Sequence, residues 1–215
     1  MRLSCLTDPA INLVADASTL INLNASRRVR AILAAIPNPL LVTDVVMGEL
    51  QEDSRSGRRD ADILAGLIRD GLIRLVKIEE LKDGIFERLV AGRSVDTLDD
   101  GEAATIAYAV ETRAMAVIDE RKANKICRVS YPQLTVGCTV DLFCHELVQR
   151  ALGRQSLGRA VFDALQGARM RVMARHLTWV VDIIGAERAA LCDSLPRSAR
   201  VAKPRAKIQA GEGSA

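Results

Sequence analysis

Short apolar runs alternate with longer segments of helical periodicity along the first two thirds of the chain. Five runs predict β-strands, the last one weakly: residues 11–15, 40–43, 72–78, 115–118 and 134–138. Between them, apolar residues recur at helical spacing, and proline or glycine closes the segments, as after residues 19–36 and at Gly71. Strands that alternate with helices predict an α/β fold with a mainly parallel central sheet.

The pattern changes at about Thr139, because helical spacing continues and no further strand-like run occurs. We therefore expect a layered domain over residues 11–150, preceded by an arm over 1–10 and followed by an α-helical extension over 151–195. Residues 196–215 hold five Arg or Lys residues and one acid, with Pro, Gly and Ser, which predicts a basic, disordered tail. Such a tail is either a solubilising terminus or a weak, salt-sensitive contact for phosphates.

Composition narrows the classes of function. The chain has only two histidines, which is little material for a zinc site or a serine–histidine triad. Its five cysteines show no C-x-x-C spacing and predict reduced thiols. The N-terminus lacks the apolar region of a signal peptide, and no apolar stretch is long enough to span a membrane. We therefore expect a cytoplasmic protein without membrane contact.

Four acidic residues fall where this fold would bring them together: Asp16, Glu49, Glu102 and Asp119. Asp16 and Asp119 follow the first and fourth predicted strands, and ligands of parallel sheets bind at such carboxyl ends. Four uncompensated carboxylates in one place would repel one another strongly. Mg²⁺ or Mn²⁺ removes that repulsion, and carboxylate oxygens are the ligands these ions prefer.

Each acid also has a simpler structural explanation. Asp16 suits a helix N-cap, and Glu102 stands three residues after Asp99 as in a capping box. Glu49 suits an exposed helix position, and Asp119 suits the start of a turn. The metal interpretation therefore depends on the four acids as a set.

The segments VADASTLINL, LVTDVVMGEL, LDDGEAATIAYAVE and AVIDERKANKI resemble, in order and spacing, the successive motifs of PIN domains. The likeness covers roughly residues 11–145 and is nearest to the bacterial VapC-type toxins. It implies a Rossmann-like sandwich and a metal-dependent ribonuclease with one or two Mg²⁺ or Mn²⁺ ions. It also implies that the catalytic, metal-binding acids are Asp16, Glu49, Glu102 and Asp119. Three neighbours would support them, and the third is an alternative ligand to Asp119: Ser18, Asn22 and Glu120.

The resemblance further implies an endoribonuclease that hydrolyses RNA phosphodiester bonds as a toxin of a toxin–antitoxin or related defence system. Its expected partners are RNA, an antitoxin protein and a second copy in a homodimer. Four basic residues after Asp119 are candidates for contact with the RNA backbone, unless they only form a solvated helix face: Arg121, Lys122, Lys125 and Arg128. The helical extension has no role implied by the resemblance.

The same residues bear on four other classes of function. A nuclease-like binding module with little or no activity would use the helical extension to recruit a partner, and nothing missing from the acid set favours it. An aspartate phosphatase of the D-x-D-x-T type would need a second Asp where Ser18 stands. A receiver domain would need a lysine after the fifth strand, and the segment LTVGCTV has none. A dinucleotide-binding domain would need a G-x-G-x-x-G motif after the first strand, and none follows it.

Overall fold

The computed structural model describes residues 4–54, 59–91 and 97–200. At its centre is a five-stranded parallel sheet, in the order β3-β2-β1-β4-β5. The strands are β1 (Leu13–Ala15), β2 (Leu40–Thr43), β3 (Arg74–Val76), β4 (Met115–Val117) and β5 (Val136–Gly137). The predicted α/β fold with a parallel sheet is therefore confirmed. The order reverses between β1 and β4, the point where α/β sheets bind ligands.

Helices cover both faces of the sheet, so the central strand is buried on both sides. Leu13 and Ala15 of β1 belong to one hydrophobic core, and Val14 belongs to the other. The domain's helices are α1 (Ala17–Ala25), α2 (Val29–Ala35), α3 (Asp44–Ser54), α4 (Asp60–Arg69), α5 (Ile85–Val90), α6 (Asp100–Thr112) and α7 (Arg121–Ser130). The apolar side chains of α1, α2 and α4 pack on the first face and those of α5, α6 and α7 on the second.

Two predicted elements differ from the structure. The single helix predicted over 19–36 is two helices, because Arg27 adopts a left-handed φ of 58° after Ser26 ends α1. The strand predicted over 72–78 is shorter, because Leu72 and Ile73 donate backbone hydrogen bonds to Leu67 O and so complete the end of α4. Apolar periodicity shows which residues are buried, but it does not show these local stops.

The C-terminal part is helical as predicted up to residue 190, with α8 (Thr139–Cys144), α9 (Glu146–Gly167), α10 (Leu177–Ile184) and α11 (Ala186–Ala190). A further short helix, α12 (Arg197–Arg200), lies inside the tail that the sequence predicted to be disordered, so these four residues differ from the prediction. Helix α9 packs against α1, α2 and α10. Its buried Leu157 and Val161 belong to the same core as Leu13. The boundary predicted at residue 150 falls in α9 just before a break in this helix at Gly153, which has a left-handed φ of 69°. The division into a domain and an extension stays a prediction.

Parts of the predicted termini lie outside the described residues, namely 1–3 of the arm and 201–215 of the tail. Leu6 of the arm is buried in the first core. Among the described helices, none combines the length and the apolar character that crossing a membrane requires.

Candidate active site

Asp16 lies at the junction of β1 and α1. Its Oδ1 accepts a hydrogen bond from Thr19 N at 2.7 Å, which caps α1, and its Oδ2 accepts one from Ser18 Oγ at 2.7 Å. Because Asp16 is only 2% exposed, burial raises the pKa of its carboxyl to about 7, and the charge of Asp119 adds to the effect. Asp16 is thus a helix cap, but capping alone does not require a carboxylate this deeply buried beside another one.

Asp119 lies two residues beyond β4, on the strand next to β1. Its Oδ1 accepts from Thr139 N at 2.9 Å, and its Oδ2 accepts from Asn22 Nδ2 at 2.7 Å and from Thr139 Oγ1. Burial raises the pKa of Asp119, although these hydrogen bonds oppose that change. Asn22, predicted to support the site, therefore positions Asp119 rather than Asp16.

Glu102 lies in the first turn of α6 and is half-buried. Its backbone N donates to Asp99 Oδ1 at 2.9 Å, as the capping-box explanation predicts. Burial raises the pKa of its carboxyl to about 8, followed by the charges of Asp99, Asp16 and Glu120. Since no described residue donates a hydrogen bond to this carboxylate, its oxygens are available to a ligand.

Glu49, in α3, reaches the start of α6 from the neighbouring helix. Its Oε1 accepts a hydrogen bond from Gly101 N at 2.7 Å. A side chain at Gly101 would collide with the Glu49 carboxylate, which explains why a glycine precedes Glu102. Burial raises the pKa of Glu49, and the nearest charges acting on it are those of Asp99, Asp100 and Asp53. The structure thus places the Glu49 carboxylate against the backbone of Gly101, at the start of α6.

We call Asp16, Glu102 and Asp119 the acidic group. Asp119 acts electrostatically on Asp16, and Asp16 acts on Glu102, so Asp16 lies within electrostatic range of each of the other two carboxylates. The pKa of each is raised, because burial and like charges both disfavour the ionised form. A divalent cation would reverse both effects, and an all-oxygen ligand set fits Mg²⁺ or Mn²⁺.

Glu120, the alternative to Asp119, has other partners. Its Oε1 accepts from Lys122 N at 3.3 Å and so caps α7, while its Oε2 pairs with Arg171. Asp119 is more deeply buried than Glu120 and is bonded only by neutral groups among the described residues. These contacts favour Asp119 over Glu120 as the candidate ligand beside Asp16.

The four basic residues predicted to contact RNA all lie on α7, but not on one face. Arg121, Lys125 and Arg128 line a cavity of about 510 Å³ together with Tyr131 and Arg175, and we call it the basic cavity. None of its three α7 cations forms an ion pair with a described residue. The remaining one, Lys122, instead donates to Thr97 O, away from the cavity lining.

Sequence reasoning missed Thr139, Arg171 and Arg175. Thr139 follows the fifth strand, and its position at a strand end could have indicated that it lies near the site. The two arginines gave none, because only the packing of the segment before α10 brings them to Glu120 and to the basic cavity.

A second group of metal-ligating side chains lies next to Thr139. Within the ranges 4–54, 59–91 and 97–200, Cys138, Asp141 and His176 are the residues whose ligand atoms all lie within 4.8 Å of one another. The predicted acids do not form so tight a set there. The protein thus has two separate groups with different chemistry.

Comparison with known families identifies the domain. The family model DUF3368, described as a PIN domain, matches residues 12–185, which is most of the chain and includes helices α8 to α10. Neither the curated proteins nor the solved structures include a match.

Proposed function

Because the chain belongs to the PIN-domain family, we propose that it is a metal-dependent endoribonuclease that hydrolyses RNA phosphodiester bonds. PIN domains are in general metal-dependent nucleases, and the choice of RNA is the finer part of this proposal. One observation supports it above the others: Asp16 and Asp119 are buried side by side where the strand order reverses, with no cationic partner among the described residues.

We assign the metal to the acidic group. Asp16 and Asp119 would hold one or two Mg²⁺ or Mn²⁺ ions from the sheet side and Glu102 from the start of α6, with Glu49 completing the ligand set. Such an ion supplies an activated water and offsets negative charge at a phosphodiester. Ser18, Asn22 and Thr139 hold the two aspartates in place through the hydrogen bonds described above.

The substrate backbone would lie along the basic cavity. Arg121, Lys125 and Arg128 have no carboxylate partner among the described residues, so their charges are free to contact phosphates. Glu120 lies between the basic cavity and the acidic group, because it caps α7 and its charge also acts on Glu102. A strand bound in the basic cavity would therefore pass close to the acidic group.

The biological role is proposed from the motifs alone. Their likeness to VapC-type toxins suggests a cytoplasmic toxin that a partner antitoxin inhibits, and a homodimer. Coexpression with the product of an adjacent reading frame tests this role, since an antitoxin should copurify and relieve growth arrest. Growth arrest that Asp16→Asn does not relieve would contradict it.

The activity is tested by incubating total RNA and single-stranded DNA with the full chain in Mg²⁺, Mn²⁺ or chelator. We expect cleavage of RNA that chelator abolishes and that Asp16→Asn reduces by more than about 100-fold, since this change removes the charge and keeps the shape. Asp44→Asn is the matched control, because Asp44 also follows a strand but is exposed. Wild-type cleavage by Asp16→Asn would refute the assignment, and saturable metal binding without cleavage would favour the binding-module alternative.

A further inference from the structure

Three segments distant in sequence meet beside the start of α8. Cys138 and Asp141 come from the end of β5 and from α8, and His176 comes from the turn before α10. All three side chains are buried, with at most 1% of each residue exposed. Sulfur, imidazole nitrogen and carboxylate oxygen together form a ligand set that Zn²⁺ accepts and Mg²⁺ does not.

The spacing of these atoms matches a zinc site closely. Cys138 Sγ lies 3.1 Å from Asp141 Oδ2, and His176 Nε2 lies 3.1 Å from Asp141 Oδ1. Zinc bonds of about 2.3 Å to sulfur and about 2.0 Å to nitrogen or oxygen give tetrahedral ligand-to-ligand distances of about 3.3–3.5 Å. The two closest contacts to Asp141 are therefore within about half an ångström of tetrahedral zinc values, and all three ligand atoms lie within 4.8 Å of one another.

One ring nitrogen of His176 faces the cluster, and the other has no hydrogen-bond partner among the described residues. Its Nε2 lies 3.1 Å from both Asp141 Oδ1 and Arg175 Nε, and it can donate to the first or accept from the second, but not both. Its Nδ1 is buried and has no hydrogen-bond partner among the described residues. In the metal-free protein the Asp141 carboxylate therefore favours a proton on Nε2, and a cation bound at Nε2 would replace that proton.

Cys5 contacts the same carboxylate, although its thiol is not among the atoms that all lie within 4.8 Å of one another. Its backbone N donates to Asp141 Oδ1 at 3.3 Å. A Cβ on Gly137 would lie 3.2 Å from Cys5 Sγ and 3.7 Å from Asp141 Oδ2, so a bare glycine lets both side chains approach this point. Burial raises the pKa of the Cys5 thiol to about 12, and the Asp141 charge adds to this, so the metal-free thiol is protonated.

We propose that Cys138, Asp141 and His176 form a structural zinc site, and that Cys5 completes it as the fourth ligand when its side chain turns towards the ion. Arg175, whose Nη2 lies 2.8 Å from Asp141 Oδ2, balances the charge: Zn²⁺ and the guanidinium supply three positive charges against two thiolates and one carboxylate. The site would link the N-terminal arm, the start of α8 and the segment before α10. It would also fix Thr139, the neighbour of Cys138 that donates to Asp119.

Zinc content and spectroscopy of the full chain test this site without reference to cleavage. After chelation and dialysis against Zn²⁺, we expect one equivalent of bound zinc and a higher melting temperature than in Mg²⁺ alone. Co²⁺ in place of Zn²⁺ should give thiolate-to-metal charge-transfer absorption. Cys138→Ser and His176→Gln should each lose at least about tenfold in zinc affinity.

Matched controls separate this site from the acidic group. Cys192→Ser replaces a buried cysteine outside the cluster and should retain zinc, as should Asp16→Asn. Absence of stoichiometric zinc, absence of the thiolate band, or equal losses in Cys192→Ser would overturn the proposal. Unchanged affinity in Cys5→Ser would overturn the assignment of Cys5 as the fourth ligand. The nuclease assignment stands or falls separately, by the cleavage assay.

Discussion

Buried carboxylates lie on either side of Thr139: Asp16 and Asp119 on one side and Asp141 on the other. Their surroundings shift the carboxyl pKa in opposite directions. Asp141 pairs with Arg175 and His176, and although burial opposes it, these contacts hold its pKa below the ordinary value. Asp16 and Asp119 accept hydrogen bonds only from neutral groups among the described residues, and their pKa values are raised. The comparison teaches that a missing cation, rather than burial alone, goes with a raised carboxyl pKa and marks the carboxylates whose charge Mg²⁺ or Mn²⁺ would compensate.

The largest expected effect is a difference in stability between the Asp141→Asn and Asp16→Asn variants. In chelator, Asp141→Asn should lower the free energy of unfolding by about 3 kcal/mol, because it leaves Arg175 and His176 without their buried anion. Asp16→Asn should leave stability unchanged or raise it, since it removes a charge that folding disfavours. Urea denaturation of both variants measures the difference, and equal destabilisation would break the comparison.

The next effect is on the pH dependence of the metal-free protein. Folding raises the pKa of Asp16 from 3.8 to about 7 and that of Glu102 from 4.5 to about 8. Between about pH 4 and about pH 8 the folded state therefore binds more protons than the unfolded state, so stability falls as pH rises. We expect a loss of roughly 2 kcal/mol over this window by urea denaturation.

Two controls sharpen this measurement. Asp16→Asn should flatten the slope, and Mg²⁺ should remove most of it by binding the ionised carboxylates. The lowered pKa of Asp141 acts with the opposite sign, because its contribution to stability is present above about pH 4 and is lost in acid. Stability that rises between about pH 5 and about pH 8 in chelator would contradict the raised pKa values.

The smallest expected effect on stability concerns Glu49. Gly101→Ala should displace the Glu49 carboxylate from the start of α6, because the added methyl group occupies its position. The side chain is flexible and partly exposed, so we expect a loss of stability below about 1 kcal/mol. Cleavage should fall several-fold if Glu49 completes the ligand set. Gly48→Ala is the control, since a Cβ there meets no atom within 4 Å.

Much of the fold follows from local patterns that the sequence displays directly. The five strands were predicted near their observed positions because buried parallel strands are short, continuous apolar runs. The break at Arg27 and the shortened third strand were not predicted, because they depend on local backbone hydrogen bonds that apolar spacing does not record.

Asp16, Glu102 and Asp119 could be singled out from sequence because each follows or opens a predicted element, and parallel strands place such positions at one edge. Glu49 lies inside a helix that follows the second strand, so its position alone indicated less. Their hydrogen-bond partners could not be assigned in the same way. Asn22 was predicted to support the acids, but only the structure shows that it bonds to Asp119, since the adjacent strands β1 and β4 bring α1 over the end of β4.

The sequence by itself determined the layered architecture, the family motifs and the positions of the four acids, because these depend on periodicity and on residues close together along the chain. Only the tertiary structure decided which buried carboxylates have a cationic partner. Arg175 lies far along the chain from Asp141, in a segment without a recognisable motif, and the packing of α9 and α10 brings it to the carboxylate. Charge compensation depends on distance in space, which spacing along the chain does not reveal.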